Sequence, residues 1–123
     1  GEVAQIAIDS GHKKACILAD VYHLYKGGSG YTGLALLGGH TVPVLHMNDY
    51  PATPGRREIT DAARVFPGEG VAPWTEIVAG LHTMGFSGAL SLELFNRDYW
   101  QQDPLNVALT GLAKMKAVME NIA

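Results

Sequence analysis

Apolar residues in this chain fall into short uninterrupted runs and longer segments of helical spacing. Ala15-Cys16-Ile17-Leu18-Ala19 is a continuous run between Lys13-Lys14 and Asp20, as expected of a strand buried on both faces. Cys16 reads there as a small buried hydrophobe. Thr41 to His46 is a second strand candidate, weakened by Pro43, which offers no ladder donor. Gly88 to Glu93 is a third. Between the second and third, Pro73 to Met84 carries Trp74, Ile77, Val78, Leu81 and Met84 on one helical stripe, with Gly85 as its stop. Pro104 opens a last helix with Asp103 as N-cap; Leu105, Leu109, Leu112, Met119 and Ile122 form its expected buried stripe. Leu34 to Leu37 reads as a short helix after the glycine-rich stretch Gly27-Gly28-Ser29-Gly30, and Glu2 to Ser10 as helical turns stopped by a left-handed Gly11.

Helices alternating with strands imply βαβ units and a parallel sheet, an α/β fold with flanking helices. No domain boundary interrupts residues 1–123. The chain opens in mid-helix without an initiator Met, so residues upstream of Gly1 are expected. The segment from Met47 to about Ala72 is rich in Pro, Gly and charge, and loops of that length are usually functional.

Each expected strand ends in a side chain able to bind a metal: Asp20, His46 and Glu93. In parallel α/β folds these ends form the active-site face. A set of oxygen and nitrogen donors suits Mn²⁺, Mg²⁺, Co²⁺ or Zn²⁺. Taken singly, Asp20 could be a turn or cap residue and His46 a hydrogen-bonded structural one. Glu93, between Leu92 and Leu94, needs a partner for its charge.

Charge and composition narrow the picture further. Charged residues make up 17% of the chain, below the usual share of about 25%. A net charge of -3, without a Lys/Arg run, argues against nucleic-acid binding. One cysteine excludes an intramolecular disulfide, and no apolar run is long enough for a bilayer. A cytoplasmic location is the default. The glycines at 27, 28 and 30 match neither G-x-G-x-x-G nor a P-loop.

Four segments resemble the xylose-isomerase-like TIM barrels. Asp20-Val21-Tyr22-His23 with Gly27-Gly28-Ser29 is similar to that superfamily's D-x-x-H … G-G segment. Leu45 to Pro51, containing His46-Met47-Asn48-Asp49, resembles its H-x-N-D strand end. Arg64-Val65-Phe66-Pro67-Gly68-Glu69-Gly70 resembles its R-x-x-P-G-x-G loop, and Leu92-Glu93-Leu94-Phe95 its final-strand glutamate. The order is that of the family.

The resemblance implies the last three βα units of a (β/α)8 barrel, with residues 1–123 as a single C-terminal portion. It implies Asp20, His46 and Glu93 as metal ligands, with a fourth, glutamate ligand on a strand before Gly1. Glu93 would combine ligand and acid/base roles, while Asp20 and His46 only bind the ion. The implied activity is that of a divalent-metal-dependent sugar or sugar phosphate isomerase or epimerase, acting on a small-molecule sugar by proton transfer through an enediolate. His23 is given a substrate-binding role, or else packs beside Tyr22 and Tyr25. Arg64 is a candidate for a substrate hydroxyl, carboxylate or phosphate; the alternative is a salt bridge to Asp61 or Glu69. Asn48 is placed with the substrate-binding residues, or, like Asp49, orients the ligand His or shapes the loop. Glu69 reads as a surface turn residue. Phe66, Trp74, Phe86, Phe95 and Trp100 are expected to pack, with Phe95 or Trp100 able to stack on a sugar.

A dehydratase on the same scaffold is the competing enzyme reading. An inactive fragment or an interaction module is the non-enzyme one; exposed sheet edges would then favour a homo-oligomer. Endonuclease IV-like repair would need more metal ligands and a basic groove.

Overall fold

The computed structural model describes residues 1–120. Ile122, expected on the last helix stripe, lies outside the described residues. Helix α1 (Glu2–Asp9) leads to strand β1 (Leu18–Asp20), helix α2 (Val21–Lys26) and two short 3-10 segments, Thr32–Leu36 and Gly39–Thr41. Strand β2 (Val44–Met47) follows, then a 3-10 turn at Asp61–Ala63, helix α3 (Trp74–Thr83), strand β3 (Ala89–Leu92), helix α4 (Arg97–Trp100) and helix α5 (Pro104–Glu120).

The strands form one parallel sheet in the order β1-β2-β3. The register pairs Asp20 with His46, and His46 with Ser91. The α/β alternation and the parallel sheet match the reading of the sequence. Pro43 stands just before β2; it lacks an N–H, but its carbonyl accepts from Ala89 N at 2.9 Å and starts the β2–β3 ladder.

The core lies between β2 and the helices beside it. Leu45 and Met47 of β2, Ile77, Val78 and Leu81 of α3, and Val21 and Tyr22 of α2 are all buried. Gly80 of α3 lets the Thr32–Leu36 segment close in: a Cβ there would sit 3.4 Å from Leu34 Cβ. Gly85 takes φ +69 and stops α3, and Asp103 Oδ1 accepts from Asn106 N at 2.9 Å as the α5 cap.

Three packing expectations are corrected. Cys16 is exposed, because the chain is strand only from Leu18 and β1 is the edge of the described sheet. Leu105, Leu109 and Leu112 are exposed at 65%, 57% and 49%. Helix α5 rests instead on Gly111 and Val118, with Met115 and Met119 partly buried. A Cβ on Gly111 would lie 2.3 Å from Leu92 Cδ2, so the helix comes close to β3 at this glycine. Trp100 is exposed as well, whereas Phe95, partly open at the rim, packs on Arg64 as expected.

A chain of buried phenols links the elements. Tyr31 donates to Val21 O and lies 2.9 Å from the Tyr50 hydroxyl. Burial pushes the Tyr31 phenol far above its ordinary value of 10.0, reinforced by the Tyr50 contact. Burial also raises Tyr22 and Tyr50. Above pH 10 the unfolded chain releases phenolic protons that the folded chain keeps, so stability falls as pH rises. Tyr31, the most strongly shifted, contributes a limiting slope of about 1.4 kcal/mol per pH unit. Melting curves from pH 9 to 12, with phenolate absorbance, should show Tyr31 ionising only on unfolding.

Candidate functional site

Asp20, His46 and Glu93 each arrive from a C-terminal strand end. Asp20 closes β1 and caps α2: its Oδ1 accepts from His23 N at 2.9 Å. That leaves Oδ2 pointing along the rim. His46 is the third residue of β2, level with Asp20. Glu93 lies two residues beyond Ser91, the partner of His46, and strand alternation keeps it on the same face. Its amide bonds Met47 O at 3.1 Å, extending the ladder by one step.

The three side chains converge. One ligand atom from each of Asp20, His46 and Glu93 lies within 4.8 Å of the others. His46 Nδ1 stands 3.1 Å from Glu93 Oε2 and 3.5 Å from Asp20 Oδ2. Asp20 is buried, whereas His46 and Glu93 are partly open to solvent. Two carboxylate oxygens and an imidazole nitrogen, half enclosed on one rim, are a donor set that fits a divalent cation.

Arg64 completes the cluster. It is fully buried, although it comes from the long loop. Its NH1 donates to Asp20 Oδ2 at 3.1 Å and to Glu93 Oε2 at 2.9 Å. Its NH2 reaches Asp61 and stands 3.0 Å from His23 Nε2. The guanidinium is sandwiched between Tyr22 and Phe95, 4.6 Å and 5.0 Å from their ring centroids. Its Nε is buried and has no hydrogen-bond partner among the described residues. The sequence offered Arg64 a substrate-binding role or a salt bridge to Asp61 or Glu69; the structure gives it the bridge to Asp61 and adds Asp20 and Glu93. Glu69 pairs with Lys114 instead, at 2.9 Å on the surface.

Asn48 is corrected. It is completely buried, and both ends of its amide are spent on protein groups. Oδ1 accepts from Tyr22 N at 2.8 Å and Nδ2 donates to Asp20 Oδ2 at 3.2 Å. It therefore holds α2 and Asp20 in place and offers nothing to a substrate. His23 projects outward beside Arg64, with 62% of its side chain exposed. Asp61, one of the two salt-bridge partners the sequence offered Arg64, takes that place in the cluster. Its only signal was its position three residues before Arg64, on the same side of a helical turn.

Comparison with known proteins follows the same lines. The profile of the xylose isomerase-like TIM barrel family matches residues 1–118. An inosose isomerase of Halalkalibacterium halodurans is 31% identical over 101 residues, 82% of this chain and 36% of that protein. An inosose isomerase of Bacillus subtilis is 29% identical over 85 residues, 69% of this chain and 30% of that protein. The chain thus spans about a third of these curated relatives. Among solved structures, the IolI protein with a bound zinc atom superposes with a TM-score of 0.88 at 24% identity, over 97% of this chain and 42% of that one. A xylose isomerase domain protein from Alicyclobacillus acidocaldarius gives 0.71 at 26% identity, over 97% and 39%.

Proposed function

The chain belongs to the xylose isomerase-like TIM barrel family, and from that premise we propose that it serves a divalent-metal-dependent sugar isomerase or epimerase. The observation that carries this reading is the meeting of Asp20, His46 and Glu93 ligand atoms within 4.8 Å on one strand-end rim. The inosose isomerase relatives support the isomerase class, and the zinc in the IolI structure supports a metal.

Asp20, His46 and Glu93 would hold the ion. When bound, it would supply Lewis-acid polarisation of neighbouring carbonyl and hydroxyl oxygens on a sugar. The remaining work falls to side chains of this chain. Glu93 is the partly open carboxylate and takes the proton from the carbon beside the carbonyl, then returns it. Asp20 keeps its orientation through Asn48 and the α2 amide. His23, at the outer edge, is placed to bind substrate oxygens, while buried Arg64 holds the Asp20 and Glu93 carboxylates. Phe95 shields the guanidinium from water, which strengthens its pull on nearby negative charge.

Calorimetric titration with Co²⁺ or Zn²⁺ tests the ligand set. One ion per chain is expected, and His46→Ala should weaken binding by at least the 10–100-fold typical of residues that merely support ligands. Undiminished affinity in His46→Ala would remove the site from this place. A hydroxy-ketone panel followed by product NMR tests the reaction class; a dehydrated product would mark a lyase.

A further inference from the structure

We propose that Asp49 is the positioning residue of this site: it folds the loop so that the Arg64 guanidinium is held across the Asp20 and Glu93 carboxylates. Asp49 is completely buried and forms no hydrogen bond to Asp20, His46 or Glu93 among the described residues. All its bonding goes to the loop. Oδ1 accepts from Tyr50 N at 2.8 Å and from Ala72 N at 2.9 Å. Oδ2 accepts from Gly68 N and from Trp74 Nε1, each at 2.9 Å. Its backbone exchanges two 2.9 Å bonds with Val65, the residue next to Arg64.

One carboxylate thus fastens the loop at positions 50, 68, 72 and 74, and its own peptide fastens it at 65. Arg64 sits inside that closed segment. A long loop loses much entropy when its middle is pinned, and burying a guanidinium needs its fork of donors held in place. The hub is tight on its far side too. A Cβ on Gly70 would stand 2.3 Å from both Asp49 Oδ1 and Tyr50 O. Gly70 is therefore a second, independent handle on the same device.

The geometric claim stands on these contacts alone; its bearing on turnover rests on the proposed function. The test uses the chain labelled with ¹⁵N-arginine, its Arg64 signals assigned by their loss in Arg64→Lys. In the unaltered protein, Arg64 should give a slowly exchanging Nε–H and separate Nη signals, because both ends of its fork are tethered. Asp49→Asn turns one acceptor oxygen into a donor facing two N–H groups. Both it and Gly70→Ala should speed Arg64 Nε–H exchange on the order of 100-fold. Leu81→Ala, a destabilising change inside buried α3, should leave Arg64 as it was.

Unchanged Arg64 signals in Asp49→Asn and Gly70→Ala would overturn the proposal, whatever the loss of melting temperature. So would an equal response in Leu81→Ala. Where Asp49→Asn does not fold, Trp74→Phe removes a single donor and decides the matter by a smaller shift in the same direction. None of these readings needs a metal. A chain that binds no Co²⁺ would sink the proposed function and leave the role of Asp49 to be judged by NMR.

Discussion

Replacing Arg64 with methionine is expected to cost the fold about 3–5 kcal/mol, the range found when one partner of a buried ion pair is removed. Methionine restores much of the volume, so the loss is chiefly electrostatic. Asp20 Oδ2 and Glu93 Oε2 would remain close together with their shared donor gone. The Asp61 contact adds little, because half of that side chain is in water. For a chain of this size, a drop in melting temperature of about 10–20 °C follows. The deficit should shrink when Zn²⁺ or Mn²⁺ is added, since an ion held by the same carboxylates replaces the missing positive charge. Urea denaturation with and without metal measures both effects. A loss below about 1 kcal/mol would mean that the guanidinium barely offsets its own desolvation.

The largest expected effect on chemistry comes from Glu93→Gln. The amide keeps the size of the side chain but cannot take up a proton at neutral pH. A positioned general base contributes about 10²–10⁴-fold, and under the proposed function proton transfer should slow by that factor. Exchange of the substrate's carbon-bound hydrogen in D₂O, followed by NMR, isolates the step from product release. Exchange persisting at the original rate would take the base role from Glu93. The same substitution should weaken metal binding less than His46→Ala does, because the amide oxygen remains a possible ligand.

The strand ends were the most legible part of this sequence. Asp20, His46 and Glu93 stand out because polar groups close short apolar runs, and a parallel sheet lines up such endings. The turns of the chain around them were less readable. Helix α2 is only six residues of valine, tyrosine, histidine, leucine and lysine, a poor helix by propensity. It forms because Asp20 caps it and Asn48 takes the Tyr22 amide, partners that lie 28 residues apart in the chain. The face of α5 could not be read either. Apolar residues occupy more than one side of it, and the side that packs includes Gly111, a residue with no hydrophobic signal. Loop shaping by Asp49 could be read, but not its partners, which include peptide groups up to 23 residues away. Trp74 looked like core and is core, yet its indole N–H also holds the loop.

Asp20 has two oxygens and gives them different duties. One seats the first turn of a helix and the other faces the charged cluster. Exchanging this residue to change the ion or the reaction would loosen the scaffold at the same stroke. Diversification in such a protein is therefore steered away from the strand end and toward exposed positions that cap no helix.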